Sequence, residues 1–215
     1  MYNLEKGDRQ FAGSYVVNDR IEMNKVDTPS FYNMEECNIV MKVIKALLAS
    51  PNVDINAGNI AVITCFRAQV LKLREILRKN ELSTVNVGVV EDFQGQEMTV
   101  VLISTVLTSN QEQWRSGANG GLGFMTNPRR FNVAITRASS LCVIIGKVDY
   151  LENSGSYWTT LIEHVRRNGS IINHDHGDSQ FITKGKDDSE DDDNGYGIAE
   201  FIGRVEELNL ALGSG

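Results

Sequence analysis

The sequence predicts an α/β domain with a mainly parallel sheet flanked by helices. Short, nearly all-apolar runs recur at residues 59–64 (NIAVIT), 85–90, 98–106 (MTVVLISTV) and 141–146 (LCVIIG). Strands covered on both faces read this way. Between several of these runs lie segments whose apolar residues fall at helical spacing. Strands alternating with helices imply parallel pairing, because a parallel crossover leaves its helix packed on the sheet.

The elements follow in order. Residues 1–30 are polar, with one short β-like patch at Ser14-Tyr15-Val16-Val17, and read as an N-terminal extension or inter-domain segment. From 33 to 48, Ile39, Val40, Val43, Ile44, Leu47 and Leu48 mark a helix, and Asn33 followed by Glu36 resembles a capping box at its start. A second helix over 67–80 turns Val70, Leu71, Leu73, Ile76 and Leu77 inward. A Gly/Asn-rich loop at 116–123 precedes a helix from about Pro128, where proline suits the first turn. Another helix covers 158–167, and residues 31–175 form the domain. Beyond it, residues 176–215 read as an acidic linker, disordered over 184–195 (KGKDDSEDDDNG), and a short helix over 198–212.

Charge leaves the partner open. The net charge is −7, but residues 184–215 carry nine of the 28 acids and three of the 21 bases. Residues 1–183 therefore hold 19 acids and 18 bases, and a near-neutral domain can grip a phosphate backbone through a few placed groups. Cys37, Cys65 and Cys142 are odd in number and scattered, as expected of reduced packing residues in a cytoplasmic or nuclear protein. No apolar run approaches a membrane span, and the start lacks a secretory pattern. No membrane partner is expected.

The chain has no G-x-x-x-x-G-K-[ST] loop to cradle phosphates and no Asp-Glu pair after a buried strand to anchor a metal. His174 and His176 lack a spaced third ligand and read as surface residues, so no metal site is expected.

Two segments carry chemistry. Residues 90–97 (VEDFQGQE) lie between two strands, at the edge of an open sheet. Gly95 would let a phosphate or sugar approach the backbone, while Gln94, Gln96 and Glu97 suit ribose hydroxyls. The bland alternative is a polar connection that needs a glycine. In residues 128–138 (PRRFNVAITRA), a continuous helix would project Arg130 and Arg137 from nearly one face and leave Phe131, Ala134, Ile135 and Ala138 against the sheet. Such guanidinium groups suit a polyphosphate, and a solvated basic face is the alternative.

Together, in this order around a strand, the segments resemble motifs V and VI of superfamily 1 helicases. Residues 63–69 (ITCFRAQ) resemble motif IV, with Cys65 where that pattern has proline. Within the superfamily the chain is similar to the Upf-like group, and inside it to the Armitage-type RNA helicases of RNA silencing, through PSFYN at 29–33 and LGF at 122–124 leading into NPRRF. The resemblance covers about residues 28–172. It implies a RecA-like domain of the P-loop NTPase type, the second of two that clamp ATP, with Mg²⁺ ligands supplied by the first.

By position the resemblance implies that Arg137 is an arginine finger, with Arg130 a neighbouring contact. Gly95, Glu97 and Gln94 lie near the nucleotide. Thr64, Gln69, Ser104 and Thr105 are candidate contacts to single-stranded RNA, with DNA left open, or to the domain interface. Proteins of RNA silencing are further candidate partners. The family's adenine-stacking Tyr-Arg pair does not occur before Ser30. Two readings therefore stand: a second motor domain completed by a first domain in cis or in trans, or a non-catalytic remnant that binds RNA or protein.

Overall fold

Ile60–Thr64 (β4) is buried at all five positions because strands flank it on both sides and helices cover both its faces. The computed structural model describes residues 14–18, 24–25, 30–51, 54–107, 125–175, 180–182 and 203. The expected acidic run, the helix over 198–212 and the Gly/Asn loop lie outside the described residues, apart from Gly203.

Around β4 the sheet has seven strands in the order β5-β4-β6-β7-β1-β8-β9. These are β5 (Asn86–Val89), β6 (Met98–Ser104), β7 (Ala138–Gly146), β1 (Ser14–Asn18), β8 (Ile171–Asp175) and β9 (Gln180–Ile182). All pair in parallel except β8 with β9. A separate antiparallel pair joins β2 (Asn24–Lys25) to β3 (Phe31–Tyr32). The Ser14 patch, read as part of an extension, is a strand between β7 and β8.

The pleat sorts side chains between two helical layers. Ile60, Val62, Val100, Leu102, Leu141, Val143 and Ile145 face α1 (Met34–Ala49) and α2 (Arg67–Lys79). Ala61, Ile63, Val101, Ile103, Cys142 and Ile144 face α3 (Pro128–Ile135), α4 (Val148–Glu152) and α5 (Ser156–Arg167). On α2 the buried stripe is Val70, Leu73 and Leu77; Leu71, expected inward, is 58% exposed. At about 100° per residue it falls off the stripe that Val70 begins.

The cysteines in the core are free. Burial pushes the Cys37 and Cys142 thiols from the ordinary 9.0 up to about 12. Because protonation is favoured in the folded chain, both thiols support folding below about pH 9 and withdraw that support as pH climbs toward 12. Neither should react with iodoacetamide at pH 8 until the chain is unfolded in urea. Rapid labelling of both in the native protein would contradict this burial.

Candidate nucleotide edge and the opposite polar cluster

Residues 90–97 run from the carboxyl end of β5 to the amino end of β6 without a full helix. Val90–Phe93 makes one 3₁₀ turn and buries Val90 and Phe93 against the sheet. The Val89 N–H donates to Asp92 Oδ2 at 3.0 Å and closes that turn. A Cβ at Gly88 would meet the same carboxylate at 2.5 Å, so any larger residue there would have to displace the Asp92 side chain from this bond.

Gln94, Gly95, Gln96 and Glu97 then emerge exposed beside the amino ends of β6 and β7. The loop does lie at the edge of an open sheet, but its polar end sits at the amino edge. Gly95 holds φ at +75°, with no atom within 4 Å of where a Cβ would lie. Gly95→Ala should cost about 1 kcal/mol through the left-handed backbone alone, read as a lower urea midpoint. An unchanged midpoint would remove the conformational requirement.

Asn127 Oδ1 accepts from the Arg129 and Arg130 N–H groups and starts α3, with Pro128 next. Phe131 and Ala134 are buried. The helix ends at Ile135, where the sequence suggested a continuous run to residue 138. The sheet decides the end: Ala138 pairs with Met98 to open β7, and the Met98 N–H donates to the Arg137 carbonyl at 2.9 Å. The Thr136 hydroxyl turns back to the Asn132 carbonyl at 2.7 Å.

Arg137 therefore stands in the link after the helix, and Arg130 and Arg137 do not share a helix face. The Arg137 Nε donates to the Val133 carbonyl at 3.2 Å, Nη1 to the Gln96 carbonyl at 2.9 Å and Nη2 to Thr136 Oγ1 at 3.4 Å. The Nη1 bond fastens the guanidinium to the 90–97 loop, and the other two hold it to the end of α3. Among the described residues three of its five N–H donors are used, which leaves two for a ligand. Arg130 Nε meets Glu91 Oε1 at 2.7 Å with both side chains 43% exposed, a pair that joins α3 to the 3₁₀ turn.

Arg137's spare donors, the open approach at Gly95 and the exposed Gln94 and Glu97 fit phosphate oxygens and ribose hydroxyls. Among the described residues no group of three or more His, Cys, Asp or Glu is placed to hold a metal.

Thr64, Gln69, Ser104 and Thr105 gather at the opposite, carboxyl edge, and all four are buried. Gln69 Nε2 donates to Ser104 Oγ at 2.8 Å, and the Asn33 N–H donates to Gln69 Oε1 at 2.9 Å. The Thr105 hydroxyl donates to the Ile145 carbonyl, and a Cβ at Gly146 would collide with it. The Thr64 hydroxyl has no hydrogen-bond partner among the described residues.

Sequence reasoning missed Glu36 here. Asn33 does cap α1, accepting from the Glu35 and Glu36 N–H groups. Glu36, however, reaches Ser104 Oγ and the Val106 N–H, while the Asn33 N–H goes to Gln69. The signal was an acid on the apolar stripe of α1, beside Cys37, Ile39 and Val40.

Ser30 Oγ accepts from the Ala68 N–H at 3.0 Å and supplies the cap that Phe66 does not. Phe31 and Phe66 meet edge to face at 5.4 Å. The serine-aromatic segment before α1 thus braces the start of α2, past Cys65.

A mainly parallel sheet flanked on both faces by helices is the α/β architecture expected of a RecA-like helicase domain. Residues 5–149 match the AAA_12 family, described as an AAA domain, and the chain belongs to that family, as a superfamily 1 helicase domain of the Upf1-like kind. It is 38% identical to RNA helicase Mov10l1 of Homo sapiens over 148 residues, covering 69% of this chain and 12% of that protein. It is 31% identical to the probable RNA helicase armi of Drosophila melanogaster over 175 residues, covering 80% and 14%. Helicase sen1 of Schizosaccharomyces pombe is 34% identical over 142 residues, covering 64% and 8%. The likeness to Mov10l1 and armi supports the Armitage-type kinship. The chain spans between 8 and 14% of the length of these three relatives.

Proposed function

We propose that this domain is the second motor domain of an ATP-dependent RNA helicase, completed by a first RecA-like domain. The observation that carries this reading is the hydrogen bond from Arg137 to the Gln96 carbonyl, which holds the two motif-bearing segments together at one edge. Arg137 acts as the arginine finger, its two remaining N–H donors directed to the charge that develops on the γ-phosphoryl group. Gly95 gives that group room beside the backbone, and Gln94 and Glu97 contact the ribose. Arg130, paired with Glu91, keeps α3 in place over the loop. ATP supplies the phosphoryl group transferred to water, with Mg²⁺ held by the first domain. Single-stranded RNA lies along the carboxyl edge, where Thr64, Gln69, Ser104 and Thr105 shape the track from beneath. The names of the Mov10l1 and armi relatives favour RNA over DNA as the partner.

The test is ATP hydrolysis with single-stranded RNA, by this chain alone and mixed with a first domain that carries the phosphate loop. Turnover only in the mixture is expected. Substantial turnover by the chain alone would overturn the assignment. A mixture that binds RNA and hydrolyses nothing would select a non-catalytic RNA- or protein-binding module.

A further inference from the structure

Glu36 is fully buried on the apolar stripe of α1. A carboxylate is kept in such a place only when its oxygens are bonded. Ser104 Oγ donates to Glu36 Oε2 at 2.5 Å, and the Val106 N–H reaches both carboxylate oxygens at 2.9 Å. Val106 holds φ at +67°, a region that a β-branched residue avoids. Between them, the Thr105 N–H and hydroxyl both donate to the Ile145 carbonyl at 3.1 Å. The three residues from Ser104 to Val106 are thus held from α1, α2 and β7 at once. Backbone strain of this kind persists only where the surroundings over-determine it.

We infer that Glu36 is a positioning residue that fixes the path of the chain leaving β6, and through it the single-stranded nucleic-acid track at the carboxyl edge. The inference rests on the motor-domain reading above. Its place in the fold is specific. β6 begins at Met98, bonded to the Arg137 carbonyl, and ends in the Glu36 clamp at Ser104, six residues on and roughly 20 Å away. Glu36 therefore acts on the end of β6 remote from the nucleotide edge. A carboxylate suits the task because it accepts from a hydroxyl and an N–H together, using both oxygens. Glutamine would keep the shape and lose one acceptor.

The experiment uses the complete helicase that contains this domain and titrates its ATP hydrolysis with single-stranded RNA. In Glu36→Gln the RNA concentration for half-maximal stimulation should rise about tenfold, while the KM for ATP stays within about twofold. Glycine adopts a positive φ without a clamp. Adding Val106→Gly should therefore return half-saturation toward the wild-type value, although loss of the buried valine lowers the Tm. Wild-type half-saturation in Glu36→Gln would overturn the inference. So would RNA and ATP constants that rise together as the Tm falls, since a structural role alone produces that pattern. Should Glu36→Gln not fold, the double variant carries the test, and its failure to fold also overturns the assignment. A wild-type helicase without RNA-stimulated hydrolysis removes the motor reading itself, which the variants alone cannot do.

Discussion

Arg137→Ala, in a helicase completed by its first domain, is expected to lower ATP turnover by about 1000-fold or more, the range an arginine finger contributes. RNA affinity should change little, because Arg137 lies at the amino edge of β6 and β7, away from the carboxyl-edge cluster. Arg137→Lys should fare almost as badly. A lysine ammonium cannot donate to the Val133 carbonyl through a side-chain Nε, to Gln96 through Nη1, and to a phosphate in one plane. Single-turnover hydrolysis beside RNA binding by anisotropy separates the two quantities. RNA-stimulated turnover retained in Arg137→Ala would end the arginine-finger assignment.

Trp158→Ala should lower stability by about 3–5 kcal/mol, as for other large aromatic truncations in cores. The indole is fully buried, its Nε1 donates to the Met125 carbonyl at 3.1 Å, and its ring meets Phe131 edge to face at 4.7 Å. The cavity would open beneath α3, so turnover should fall as well as the urea midpoint. Met125 O would keep its bond from the Tyr157 hydroxyl at 2.6 Å, which limits the damage to packing. A loss under about 1 kcal/mol would mean that α3 does not depend on this aromatic cluster.

Much of this was legible in the sequence because it is local. Asn33 caps α1, the run from Ile60 to Thr64 is buried throughout, and Pro128 opens α3. The two motif-bearing segments were recognisable by residue type and order alone. The end of α3 was not, since helical periodicity continues on paper to residue 138. Only the pairing of Ala138 with Met98, 40 residues away, pulls Arg137 out of the helix and onto the Gln96 carbonyl. Glu36 was misread for the same reason. Three residues after Asn33 it has the spacing of a capping box, yet its partners lie 68 and 70 residues on.

The Ser14 patch shows the limit from the other side. Five residues in a polar stretch carry too little periodicity to be placed, and only parallel pairing with β7 and β8 makes them an interior strand. By itself, then, the sequence determined the four central strands, the helices α1, α2, α3 and α5, and which residue types stand at the loop and the helix after it, because capping, turn chemistry and apolar spacing act over a few neighbours. The tertiary structure decided which edge of the sheet the loop reaches, where α3 stops, and which polar groups are buried together. Those outcomes depend on strand register and on hydrogen bonds between residues distant in the chain, which no local pattern encodes.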